Sequence, residues 1–424
     1  MGAKIADIDA IEILDSRGNP TLKVDVTLDN GVVGTASVPS GASTGSREAV
    51  ELRDEDGGRY GGRGVLKAIS RIRERIAPRL HGHDPRRQAT LDHMLCKLDG
   101  TPDKSSLGAN AMLGTSMAIA RAAARDLDLP LYAYLGGIAA RRLPMPMMNV
   151  INGGAHADNG LDVQEFMIVP VGATSFSEAM RFGVGTYRSL KASLLARGLA
   201  TGVGDEGGFA PNLGDTEEAL GLLVEAIEGA GFVPGRDVAI ALDPAASAFR
   251  DGAGYRMKGE GGGHLTSDDL VQLYGRLIDA YPIVSIEDGF AEDDWDGFRA
   301  QTEVHGARIQ TVGDDVYVTN TSLIARGVRE RTTNAVLIKP NQIGTVSETV
   351  AAVALAREAG WRFVISHRSG ETDDAFIADF AVAMGGGQIK AGAPCRGERM
   401  AKYNRLLEIE NQLGEPLFSN PFQR

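Results

Sequence analysis

The chain has 424 residues, 43% of them apolar and 24% charged, and its 44 basic against 56 acidic side chains leave a net charge of −12. That length asks for more than one small core, so two domains are expected, and the acidic balance argues against nucleic acid or an anionic membrane as the main partner. No apolar run reaches the roughly 18 residues a membrane span needs, and the N-terminus lacks the basic and apolar regions of a secretory signal, so a cytoplasmic location is expected.

In chain order, Ala10-Ile-Glu-Ile-Leu-Asp15 leads into Ser16-Arg-Gly-Asn-Pro20, and Thr21-Leu-Lys-Val-Asp-Val-Thr-Leu28 follows with apolar side chains at every second position. A period of two is that of a strand with one buried face, and Gly18, Asn19 and Pro20 are turn formers, so an antiparallel hairpin is expected, with a third strand over residues 32–38. The small residues of Pro39-Ser-Gly-Ala-Ser-Thr-Gly45 read either as a surface loop or as a lid that moves and approaches a ligand closely. Over residues 66–131 the apolar spacing changes to three and four: Leu66, Ile69, Ile72 and Ile76 share a face, and residues 107–124 are alanine-rich. Strands followed by helices predict an α+β domain over residues 1–138. Pro144 and Pro146 interrupt the helical pattern, and residues 139–424 are left as a second domain of barrel size. Cys96 and Cys395 lack metal-ligand spacing and are expected to be structural thiols.

Within that second domain, five short Val- and Ile-rich runs each end on an ionisable residue. They are Asp237-Val-Ala-Ile-Ala-Leu-Asp243, Ile283-Val-Ser-Ile-Glu287, Ile309-Gln-Thr-Val-Gly-Asp314, Ala335-Val-Leu-Ile-Lys339 and Trp361-Arg-Phe-Val-Ile-Ser-His367. Such runs, separated by helical patterns, are buried parallel strands. Polar residues at the C-terminal ends of strands in a βα repeat predict a (β/α)8 barrel, whose active site is built at that rim. A salt bridge at a strand end would explain one such residue; five converging charges are hard to explain as packing. A cluster of acids is also what a hard divalent cation requires.

At this point the chain resembles the enolases, the phosphopyruvate hydratases of glycolysis, along essentially its whole length. The segments that carry the resemblance are Asp15-Ser-Arg-Gly-Asn-Pro20, Ser40-Gly-Ala-Ser-Thr-Gly-Ser-Arg-Glu48, Met147-Met-Asn-Val-Ile-Asn-Gly-Gly-Ala-His156, Gln164-Glu-Phe-Met167, Gly204-Asp-Glu-Gly-Gly-Phe-Ala-Pro-Asn212, Ser285-Ile-Glu-Asp288, Gly313-Asp-Asp315, Asn341-Gln-Ile-Gly344, Ser366-His-Arg-Ser-Gly-Glu371 and Gly387-Gln-Ile-Lys390. The resemblance implies an α/β protein, an N-terminal α+β domain followed by an enolase-type (β/α)8 barrel that opens with an antiparallel strand pair and two helices. It implies dehydration of a small phosphorylated hydroxy acid, 2-phosphoglycerate, with two Mg2+ ions per active site. General chemistry already describes such sites as a lysine or histidine base with one or two Mg2+ stabilising the ene-diolate.

Residue by residue, the resemblance implies Asp243, Glu287 and Asp314 as ligands of the first Mg2+ and Ser43, in the glycine-rich loop, as a ligand of the second. Lys339 matches the base, with Lys390 close by to repel its proton and to meet the substrate carboxylate. Glu206 matches the acid that helps the hydroxyl leave, and Glu165 shares in positioning and protonation. Arg368 and Ser369 match phosphate contacts, His156 and His367 close around the substrate, and Asp315, Gln164 and Asn341 are expected to support from behind.

Several neighbours depart from the family's usual pattern: Pro244, Ala248, Pro340, Ala391 and Gly397. They keep open a second reading, a paralogue dehydrating a phosphonate or carboxyphosphonate analogue. Where family dimers meet, Lys23 and Glu408 reverse the usual charges, and Ile11 and Asn411 lose them. A homodimer, or a larger homo-oligomer, that discriminates against conventional enolase subunits is therefore expected.

Overall fold

The computed structural model describes residues 2–42, 44–259 and 261–423. The expected hairpin forms and is longer than its alternation indicated. Strand β1 (Ile5–Leu14) pairs antiparallel with β2 (Pro20–Leu28), and β2 with β3 (Val33–Ser37). Pro20 is the first residue of its strand, where a missing N–H is tolerated, and Gly18 takes the left-handed turn at φ 76°. Leu22, Val24, Val26 and Leu28 all point into the core.

The alanine-rich helix α2 (Ala109–Asp126) lies on this sheet, and α1 (Gln88–Asp99) packs against α2. Small residues let α2 lie directly on the strands: a Cβ on Gly34 would stand 2.2 Å from the Ala118 carbonyl oxygen. Residues 66–80 are helical as expected, with Ile69, Ile72 and Ile76 buried, but Leu66 is 48% exposed because it is the first residue of its helix and nothing covers it.

Eight strands close into a barrel in chain order: β4 (Met145–Asn152), β5 (Glu165–Val169), β6 (Ala239–Asp243), β7 (Ile283–Glu287), β8 (Gln310–Gly313), β9 (Ala335–Ile338), β10 (Arg362–Ser366) and β11 (Gln388–Lys390). Strand β5 runs antiparallel to both neighbours and every other pair is parallel. Two helices, α3 (Phe176–Ala196) and α4 (Thr216–Gly229), separate β5 from β6. From there α5 (Ser267–Ala280), α6 (Trp295–His305), α7 (Thr321–Glu330), α8 (Val346–Glu358) and α9 (Phe376–Ala383) alternate with the strands, and α10 (Gly397–Leu413) follows β11. This is the irregular opening that the resemblance implied.

Local chemistry explains where the helices begin. Ser175, Asp215, Thr266, Asp294, Asn320 and Thr345 each accept a backbone N–H from the first turn of α3 to α8. The barrel is filled, not hollow: Met145, Met147, Met167, Val312, Leu337 and Val364 pack inside it. Gln310 and Gln388 exchange amide hydrogen bonds across the same interior, at 3.1 and 2.8 Å. No described helix is long and apolar enough to cross a membrane.

Candidate active site

The polar rim forms as the strand ends predict. Asp243, Glu287 and Lys390 are the last residues of β6, β7 and β11; Asp314, Lys339 and His367 come immediately after β8, β9 and β10. Glu165 is the first residue of β5, yet it reaches the same rim because β5 is reversed, and it pairs in register with Asp243. Glu206 belongs to the segment between α3 and α4, which folds back over the barrel and adds bridges from Phe209 to Ile151 and Val203. Apart from Glu287 and Asn341, which do not line it, and Ser43, which is outside the described residues, every candidate from the sequence lines one cavity of about 20 Å³. That is room for a water or two.

The acids and lysines answer one another. The Lys390 ammonium donates to Asp243 at 2.8 Å and to Glu287 at 2.9 Å, and stands 3.1 Å from Glu165. Lys339 pairs with Asp314, whose other oxygen accepts from the Gln342 amide at 2.8 Å. Burial lowers the proton affinity of Lys339, but Asp314 and its fellow acids outweigh it and hold the lysine above its ordinary value. Lys390 itself is engaged by Asp243, Glu287 and Glu165.

Negative charge nevertheless exceeds the cations present. Burial, then repulsion from Asp243, pushes Glu287 well up; burial, then Asp315 and Asp314, does the same to Asp288. Asp315 is raised to about 7 by burial and by Asp314. Oxygens of Asp288, Asp314 and Asp315 lie within 4.8 Å of one another, a grouping that shares only Asp314 with the expected ligand set of Asp243, Glu287 and Asp314. Buried carboxylates forced toward protonation are a donor set that suits a hard, oxygen-seeking cation, so the residues fit Mg2+. Asp288 accepts the backbone N–H groups of Asp314 and Asp315, at 2.8 and 2.9 Å, and so holds that corner in shape.

Across the cavity sit the second carboxylate pair and the histidines. Glu165 is raised well above its ordinary value by burial and then by the Glu206 charge, whereas Glu206, despite burial, is lowered, with His367 beside it and the Arg399 cation behind. The two carboxylates are thus driven apart in proton affinity, with Glu165 the one favoured to hold a proton. Asn149 donates to Glu206 at 3.2 Å, and Ser369 donates to the other oxygen at 3.3 Å while lying 3.1 Å from His156 Nε2. His367 Nε2 faces Glu206 at 3.1 Å. Its Nδ1 lies 2.6 Å from Nη1 of Arg399, which is fully buried in α10. Because a guanidinium only donates, Nδ1 must be the acceptor and Nε2 carries the proton of the neutral ring. Burial holds His367 neutral, down to about 4, against the pull of Glu206.

Arg399 also donates to the carbonyls of Asp205, Arg368 and Ser369, joining the β10 end to the Glu206 segment. Sequence reasoning missed Arg399, Gln342 and Asn149. Arg399 sits among the charges of an ordinary helix, so no local pattern marks it, whereas Gln342 and Asn149 lie inside the recognised segments. Among the flanking departures, Pro340 opens the short helix Pro340–Ile343 at its first position, where an N–H is not needed.

Family comparison agrees along the length of the chain. Residues 5–135 match the model of "Enolase, N-terminal domain" and residues 140–420 that of "Enolase, C-terminal TIM barrel domain". Enolase 1 of Methylococcus capsulatus is 61% identical over 415 residues, 98% of this chain and 99% of that protein. The enolase of Desulfotalea psychrophila is 59% identical over 412 residues, 97% of each, and that of Acidothermus cellulolyticus 59% over 414 residues, 97% of this chain and 95% of its relative. With a buried rim of acids and lysines and a match that leaves no large part of the chain uncovered, this protein belongs to the enolase family.

Proposed function

We propose that this chain is a phosphopyruvate hydratase, catalysing the Mg2+-dependent, reversible dehydration of 2-phosphoglycerate to phosphoenolpyruvate in glycolysis. One observation carries the reading: Lys339, the Glu165 and Glu206 pair, and Arg368 with Ser369 line a single cavity, so base, acid and phosphate contacts of one elimination are together. The proton to be removed lies beside a carboxylate and is very weakly acidic, because its loss adds a second negative charge. Bound Mg2+ supplies positive charge where that charge collects; Asp243, Glu287 and Asp314 would hold one ion and Ser43 would reach a second.

Lys339 takes the proton from C2. Lys390 meets the substrate carboxylate, and Arg368 and Ser369 hold the phosphate through charge-assisted hydrogen bonds. The Glu165 and Glu206 pair delivers the proton with which the C3 hydroxyl leaves, and His156 and His367 enclose that end and exclude water. Pro340 stands where a helix accepts proline, so that departure gives no reason to look past 2-phosphoglycerate.

The test is ultraviolet absorbance of the enol product when purified protein meets 2-phosphoglycerate. Rapid growth with Mg2+ and none with EDTA is expected; a folded, Mg2+-binding protein without growth would overturn the reading. In the same assay Lys339→Ala should lose C2 proton exchange with solvent, and retained exchange would remove Lys339 as the base.

Cytoplasmic action as a homodimer completes the proposal. Ile11 is 50% exposed and directly opposite Lys23 on the outer sheet, and Glu408 is exposed on α10. Co-expression with a conventional enolase and native mass spectrometry should yield little mixed dimer; abundant heterodimer would contradict the charge-reversed contact.

A further inference from the structure

Glu48 ends the glycine-rich segment. Its N–H donates to the Gly45 carbonyl at 3.1 Å, and its Oε1 accepts the Gly45 N–H at 3.2 Å, so the segment's own turn aims the carboxylate inward. There it meets Arg368 end-on: Nη1 donates to Oε2 at 2.8 Å and Nη2 to Oε1 at 3.0 Å. The two side chains are only 9% and 2% exposed. The Asn341 side-chain oxygen accepts from Nη1 at 3.1 Å, and the Gln342 amide steadies Glu48 Oε1 at 3.3 Å. The other end of the segment backs onto the same guanidinium, where a Cβ on Gly41 would lie 2.1 Å from Nη2.

A carboxylate on a phosphate-binding arginine could act in two ways. It could compete with the phosphate, or it could set the guanidinium for it. Magnitude separates them, because removing one partner from a buried, bidentate pair costs roughly a hundred- to several-thousandfold in an equilibrium constant. A competing phosphate would forfeit that much affinity on every binding event. Setting the guanidinium forfeits nothing, and the five N–H donors of arginine allow one plane to be shared between two anions.

We infer that Glu48 is a positioning residue for phosphate recognition: it holds the plane of Arg368 and thereby links the seating of the glycine-rich segment to the grip on the substrate's phosphate. The inference rests on the function proposed above. Glu48 touches neither reacting carbon, so its loss should weaken binding more than chemistry.

The experiment compares wild type with Glu48→Gln, which keeps the shape and removes the charge. Steady-state kinetics on 2-phosphoglycerate with Mg2+ should show KM raised about tenfold or more with kcat within about threefold. Calorimetric titration with inorganic phosphate should weaken in parallel, while titration with Mg2+ alone stays within about twofold. A merely structural defect would depress kcat and Mg2+ binding together. Unchanged KM and phosphate affinity would overturn the inference, and tighter phosphate binding would establish competition instead. If Glu48→Gln does not fold, Glu48→Asp, with its carboxylate drawn back by one methylene, carries the same comparison. Wild type without turnover would remove the function, and the phosphate titrations would still decide the role of Glu48.

Discussion

His367 has an ordinary value of 6.5 and is held at about 4 by burial, with Glu206 pulling the other way and Arg399 adding to the burial. Its folded value is therefore depressed, so the stability it contributes is complete above pH 6.5 and is lost as pH falls toward 4. The full difference is about 3 kcal/mol. Urea midpoints at pH 7 and pH 4.5 should fall further apart for wild type than for His367→Gln, and an equal spread would contradict this. Arg399→Met removes a nearby cation, so the acid limb of kcat/KM against pH should move to higher pH; a fall in activity with no shift of that limb would mean Arg399 serves packing alone. Lys339, Glu206 and Arg368 could be read from sequence because each sits in a dense local pattern. The pairings with Asp314, His367 and Glu48 could not, since those residues are far from them along the chain.

At the scale of elements, the Asp92 carboxylate is one join between the two halves of the molecule. Asp92 of α1 accepts Ser347 N–H at 2.9 Å and Ser347 hydroxyl at 2.6 Å at the start of α8, and the Ser116 hydroxyl of α2 at 2.6 Å. Ser116 in turn accepts Val346 N–H at 3.0 Å. The first turn of a barrel helix is thus capped from the other domain. Asp92→Ala leaves buried donors unmet and should cost about 3 kcal/mol in urea unfolding, with the kcat of the folded protein nearly unchanged; a cost below about 1 kcal/mol would contradict the capping role. Strand and helix positions were legible to within a few residues, because periodicity reports which faces are buried. The direction of β5 was not legible from its own residues and came only as an implication of the resemblance.

Across the whole molecule, charged pairs, buried or half-buried, link the two halves. Arg121 of α2 forks onto Asp374 before α9, Lys104 pairs with Glu348 at 3.0 Å, and Glu48 holds Arg368. Such contacts fail together, so calorimetry should show one unfolding transition; two separated transitions would contradict the coupling. Arg121→Met would strand Asp374 and should cost about 3 to 5 kcal/mol. Mg2+ at a hundred times its dissociation constant should add about 2.7 kcal/mol of stability, removed by EDTA.

By itself the sequence determined the strand and helix periods, the rim of ionisable strand ends and the family segments, because each of these is written in neighbouring residues. Only the tertiary structure decided which lysine answers which acid, that Glu165 and Glu206 face one cavity together, and that Arg399 and Glu48 stand behind the histidine and the arginine. Those outcomes depend on closure of the barrel and on the charges it gathers out of water, which are properties of residues distant in the chain.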